Sequence, residues 1–184
     1  YGLLNELFPQ TYDALPQDST HKFLELACQN TDKRIQQGKT VSTAFLFAVF
    51  LWPSVQHKAE QLISQRTPIF IAYQHAVSDT LSNQQKHITI PRRYSAAIRE
   101  IWDLQHRLIQ RRSFMLSRLM RHPRFRAAYD FLLLRAETNE ILPEIGTWWT
   151  CFLEGDDETR KQLTAAVANP PKSAKRPKKR GKTA

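Results

Sequence analysis

Ten arginines fall within thirty-five residues: Arg92, Arg93, Arg99, Arg107, Arg111, Arg112, Arg118, Arg121, Arg124 and Arg126. Arginine stays charged, and its planar fork of N–H donors grips a phosphate through two bonds or lies flat on a base. Two carboxylates, Glu100 and Asp103, share that span. A second cationic run closes the chain. Residues 172–184 hold seven Lys/Arg, among them Lys175, Arg176, Lys178, Lys179 and Arg180, and no acid. The remainder is not basic: residues 1–91 carry seven Lys/Arg against seven Asp/Glu, and residues 127–171 carry three against eight. The formal charge of +10 is therefore segregated. Segregated positive charge suits a polyphosphate partner, because each neutralised phosphate releases a counterion and affinity grows with the number of contacts.

An internal account of the same charge stands beside this one. Asp103 lies four residues after Arg99 and four before Arg107, spacing that favours ion pairs along one helix face. It serves two arginines at most, and the acidic stretch after residue 127 offers partners from other helices. The closing run reads as an arm that tethers RNA, a nuclear address, a binder of anionic surfaces or a solubilising tail. Other chemistries find little support. The histidines at 21, 57, 75, 87, 106 and 122 have no second His or Cys four residues away, so zinc is not expected. Glu137, Glu140, Glu144 and Asp156 to Glu158 read as a solvated acidic face rather than a metal site. No phosphate-binding Gly-rich loop, dinucleotide turn or nucleophile elbow occurs. Trp148-Trp149 invites a base-stacking reading, but packing of both in the core is preferred.

The pattern that must position the arginines is helical, and the fold class expected is all-α: a compact bundle of about seven to nine helices. Residues 1–8 read as the end of a helix closed by Pro9. Asp18, Ser19 and Thr20 offer caps for a helix to Gln37 with Phe23, Leu24, Ala27 and Ile35 inward, and Gly38 stops it. Ala44 to Trp52 reads as a buried apolar helix that stops at Pro53, with a new helix following. Pro68 opens another, with Ile69, Ala72, Tyr73, Ala76, Val77 and Leu81 inward. Pro91 suits the first position of the next helix. There Tyr94, Ala97, Ile98, Ile101, Leu104 and Leu108 form one stripe between roughly 120 and 240° of the helical wheel. Arg92, Arg93, Arg99, Arg107 and Arg111 fall between roughly −20 and 100°, on the outer face. Short helices are expected after Ser113, from Pro123 to Thr138, after Pro143, and over residues 159–168. Residues 1–90 then form a helical body and RNA-binding region, 91–169 an arginine-rich region packed on it, and 170–184 a disordered basic tail.

The apolar content of 41% is enough for a core. The longest apolar run, Ala44 to Trp52, is half the length of a membrane span, which needs about twenty residues. No membrane contact and no secretory signal are expected. Cys28 and Cys151 lack metal spacing and read as reduced, half-buried thiols of a cytoplasmic protein. The chain opens on Tyr1, so it is read as a piece of a longer polypeptide whose other part holds any catalytic chemistry.

Several stretches carry a family likeness. Asn30-Thr-Asp-Lys-Arg-Ile, Phe45-Leu-Phe-Ala with Trp-Pro soon after, Ile90-Pro-Arg-Arg, Ile101-Trp-Asp-Leu-Gln and His122-Pro-Arg-Phe-Arg-Ala-Ala-Tyr-Asp resemble the middle of bacterial poly(A) polymerase. Leu134-Arg-Ala-Glu, Trp148-Trp149 and the basic tail continue the order over nearly the whole chain. The resemblance implies a class II nucleotidyltransferase that adds AMP from ATP to RNA 3′ ends with two Mg2+ ions. Its catalytic head lies before the region matched. No Gly-Ser dipeptide occurs here, so no residue is assigned a catalytic, ATP-binding or metal role. The partner implied is single-stranded RNA at its 3′ end, with proteins of RNA decay as further partners. The family's tail is arginine-rich; here lysine dominates, which keeps the attraction to phosphate and weakens bidentate contact. Three readings stay open: an RNA-holding part of that enzyme or of the related CCA-adding enzyme, a module that docks RNA-decay proteins, and a scaffold for the head.

Overall fold

The computed structural model describes residues 2–14 and 18–168. Among these it contains helices and no strand: α1 (Gly2–Leu7), α2 (Pro9–Asp13), α3 (Asp18–Gln36), α4 (Thr43–Ser64), α5 (Ile69–Gln84), α6 (Arg92–Gln110), a 3-10 turn (Ser113–Met115), α7 (Leu116–Met120), α8 (Phe125–Glu137), α9 (Pro143–Glu154) and α10 (Asp157–Ala168). The all-α expectation holds. The tail from 170 to 184, expected to be disordered, lies outside the described residues.

Local chemistry explains most boundaries. Gly38 adopts φ +67, the left-handed conformation that glycine takes without a Cβ penalty. Its N–H bonds the Ile35 carbonyl and that of Lys39 bonds the Arg34 carbonyl, both at 2.9 Å, which closes α3 with a Schellman turn. Pro91 is extended, at φ −54 and ψ 142, so it flanks α6 rather than opening it. Likewise α8 begins at Phe125, two residues after Pro123, and the Arg124 N–H is taken by His122 Nδ1 at 3.1 Å.

One boundary is absent. The two helices expected to meet at Pro53 are a single helix, α4, with the proline inside it. A proline deprives the carbonyl four residues back of its donor and crowds that turn. Nearby, the Thr11 hydroxyl of α2 donates to the Phe50 carbonyl at 2.6 Å and lies 3.0 Å from Ser54 Oγ. Apolar burial on both sides of the proline (Ala48, Leu51, Trp52, Val55 and Ala59) favours an unbroken rod.

The core has two parts. In the first, α3, α4, α5, α6 and α8 share one apolar cluster, within which the Phe131 ring meets Phe23 at 5.7 Å, Trp52 at 5.4 Å and Phe45 at 6.4 Å. In the second, α6 to α9 surround Trp149, which is fully buried and donates Nε1–H to the Leu108 carbonyl at 2.9 Å. Trp148 is buried beside it, so both tryptophans pack as core. Helices α6 and α8 contribute to both parts.

A buried cation ties these helices together. Arg135 bonds Glu140 at 2.6 Å and Gln105 at 3.2 Å, and its guanidinium lies 4.9 Å from the Trp52 ring centre. Trp52 in turn donates to Glu140 at 2.9 Å. Some positions expected inward point out instead. Ile35 and Ile69 are 60% and 65% exposed; each sits in a terminal helical turn, where the inward stripe outruns the neighbouring helices. Cys28 and Cys151 are exposed rather than half-buried.

Candidate nucleic-acid interface

Helix α6 builds the basic face. Its inner side carries Ala97, Ile98, Ile101, Leu104 and Leu108, joined by Trp102 and Gln105, which complete the stripe. The apolar side must face the core, so the rest is left for solvent. Arg92, Arg93 and Arg107 are exposed there and Arg99 is half-buried. Arg93 lies over its neighbour Tyr94, 4.9 Å from the ring centre. Asp103 does not form the expected ion pairs: among the described residues, no contact within 4.0 Å joins it to Arg99 or Arg107. Partial burial of its carboxyl group pushes its pKa up, more than Arg107 and Arg99 pull it down, and Glu100 adds to the rise.

Arg111 departs from the helical wheel. The helix ends at Gln110, and Arg111 turns left-handed, at φ 48, bonding the Arg107 carbonyl at 3.1 Å. Its guanidinium packs 5.5 Å from the Trp148 ring centre instead of lying on the outer face. Burial lowers its pKa, and its Nε has no protein partner. A periodicity cannot be extended past the residue where the helix stops.

The remaining arginines follow α6 in the chain. Arg112, Arg118 and Arg121 are exposed, and Arg121 Nε bonds the Ser117 carbonyl at 3.2 Å. Arg124 bonds Glu100 of α6 at 3.2 Å, which sets the start of α8 beside the middle of α6. Arg126 pairs with Asp130 at 3.1 Å. Of the ten arginines, these two have a carboxylate within 4.0 Å among the described residues. Lys175, Arg176, Lys178, Lys179 and Arg180 lie outside the described residues.

Three further cations join the site. Arg124 and Arg126 border a cleft of about 570 Å³ between α3 and α8, and Lys33, Arg34 and Lys39 line its other wall. Arg34 reaches across to Asp130 at 3.9 Å and bonds the Thr40 carbonyl at 3.4 Å. Lys39 bonds Gln37 at 2.8 Å. Sequence reasoning passed over these residues because the first 91 have no net charge. The signal available was their place in and beside the Asn30 to Ile35 stretch.

The acidic residues are not arranged for a cation. Glu140 is held by Arg135 and Trp52, and Asp156 accepts the Thr159 N–H at 2.8 Å as the cap of α10. Among the described residues, no group of three or more His, Cys, Asp or Glu could hold a metal ion. No such group is therefore at hand among those residues for the Mg2+ that the resemblance implies. No described helix is long and apolar enough to cross a membrane.

The class these features define is an all-helical domain with exposed arginines on α6 and on the turns that follow it. More narrowly, the chain belongs to the family described as "Polymerase A arginine-rich C-terminus", whose model matches residues 65–183. It is similar to Poly(A) polymerase I of Haemophilus influenzae, with 35% identity over 169 residues, covering 89% of this chain and 37% of that protein. It also resembles Poly(A) polymerase I of Escherichia coli O157:H7, at 32% identity over 98% of this chain and 41% of that protein. The Salmonella typhi protein of the same name is 30% identical over the same shares. The chain thus spans about two fifths of the length of these curated relatives.

Proposed function

We propose that this chain is the RNA-holding part of a bacterial poly(A) polymerase. It keeps the 3′ end of a single strand near a catalytic head outside this chain, which adds AMP from ATP with Mg2+ and without a template. The observation that carries the reading is the arginine face: among the described residues, eight of the ten arginines between 92 and 126 have no carboxylate within 4.0 Å, and seven of them, all but Arg111 on Trp148, are not packed into the core. A guanidinium kept free of internal partners remains available to phosphate. The family's description and the relatives' names support polyadenylation over CCA addition. The closing cations, Lys175 to Arg180, add attraction without specificity and raise the local concentration of RNA. The compartment proposed is the cytoplasm, where mRNA is tailed and decayed.

Charge reversal tests it. Arg92→Glu, Arg99→Glu and Arg107→Glu together are expected to weaken binding of a single-stranded oligoribonucleotide at least tenfold at fixed salt, with the melting temperature held. Unchanged affinity in titration overturns the assigned face.

A second reading, docking of an RNA-decay protein, draws on a different observation. Ile69, Phe70 and Ile71 stand exposed in the first turn of α5, and contiguous exposed apolar residues mark contact surfaces. A pull-down comparing RNA with candidate decay proteins, repeated after Phe70→Ser, separates the two.

A further inference from the structure

We propose that the cleft between α3 and α8 takes a single nucleotide unit, with its phosphate against Arg34 and Arg126 and its base against Phe45. This rests on the RNA-holding reading and adds to it a defined seat off the α6 face.

The cleft's volume of about 570 Å³ lies within the range of small-ligand sites, roughly 300–1,000 Å³. Five cations line it against two carboxylates, Asp130 and Glu137. Asp130 stands between the two walls, 3.9 Å from Arg34 and 3.1 Å from Arg126. One carboxylate cannot neutralise two guanidinium groups, so it draws them toward each other and leaves positive charge over. Arg34 is further held by the Thr40 carbonyl. Cations fixed before the ligand arrives lose less freedom on binding than free side chains do. The floor is apolar. Phe45 is half-buried there, and its ring meets Phe131 edge-on at 86°, which fixes its plane. Asn30 and Gln37 add amide groups suited to a base edge. An acidic protein segment would use the cations alone. A nucleotide uses the cations, the aromatic floor and the amides together, which favours it.

The test uses the whole chain and a fluorescein-labelled fifteen-residue oligoadenylate, followed by anisotropy, with free AMP as competitor. Phe45→Leu keeps an apolar side chain and removes the ring. It is expected to weaken oligoadenylate about tenfold, the weight of one stacked base, with an unchanged salt dependence. Arg34→Gln with Arg126→Gln is expected to weaken binding similarly and to make the salt dependence shallower by about 0.7 for one phosphate. These two positions are at the surface, so they keep the proposal testable if Phe45→Leu does not fold. Competition by AMP that both variants abolish assigns the seat to free nucleotide as well; no competition assigns it to the strand alone. If both variants bind like the parent while the triple α6 variant fails, the face stands and the cleft proposal falls. If the α6 variant also binds normally, or the parent binds neither ligand, both readings fall. Oligoglutamate bound as tightly as oligoadenylate overturns the proposal in favour of an acidic protein.

Discussion

Asp103 lies one turn from each of Arg99 and Arg107 on α6, yet pairs with neither within 4.0 Å. Its carboxyl pKa is raised, first by burial. An acid raised in the fold binds protons more tightly there than in the unfolded chain. Its contribution to stability therefore declines as pH climbs from the ordinary carboxylate value through the raised one. Asp103→Asn is accordingly expected to raise the urea midpoint at neutral pH and to leave it unchanged near pH 3. A lowered midpoint at neutral pH would mean that Arg99 and Arg107 compensate the charge in solution. The same substitution removes an anion from the arginine face, so oligoribonucleotide binding should tighten. Arg111 shows the converse case, since a position read as outer-face is claimed by Trp148 once the helix ends.

At the scale of elements, the network around Arg135 decides how firmly the arginine face is backed. Arg135 on α8 meets Gln105 of α6, the Trp52 ring of α4 and Glu140 beyond its own helix. Its side chain is 8% exposed and that of Glu140 20%. Removing one partner of such a pair leaves the other charge buried and uncompensated. Arg135→Ala is therefore expected to destabilise the chain by roughly 3–5 kcal/mol in chemical denaturation. Arg135→Met with Glu140→Gln should recover most of that loss, since neither charge is then stranded. A loss below about 1 kcal/mol for the single variant, within the range of exposed pairs, would show that water reaches the site. Helix α4 belongs to the same scale. Tertiary burial around Pro53 overrides the break that the proline alone predicts.

Across the whole molecule, the proposed reading has the cations of α6 to α8 and those of residues 172–184 act on a polyanion in the same way, through counterion release. Plotting log affinity for single-stranded RNA against log salt should give a slope of about −0.7 per phosphate contacted. Six contacts would give about −4 by that relation. Deleting residues 172–184 should make the slope shallower while the melting temperature stays put. A slope near zero for the complete chain would sink the electrostatic account. The exposed Ile69–Phe70–Ile71 run is uncharged, so a partner docked there would show little salt dependence, which separates the two surfaces in one titration.

Helix class, most helix ends and the segregation of charge were legible in the sequence, because each depends on neighbours three or four residues away. The Ala97 to Leu108 stripe and the stop at Gly38 were readable by that rule. What remained hidden depends on segments distant in the chain. Thr11 meets the Phe50 carbonyl across 39 positions, Arg124 finds Glu100 across 24, and Lys33 and Arg34 come to face Arg126 over a cleft. Pattern along a helix sets which side chains point outward; only the packing of one helix on another sets which outward charges are met, and which are left for a partner.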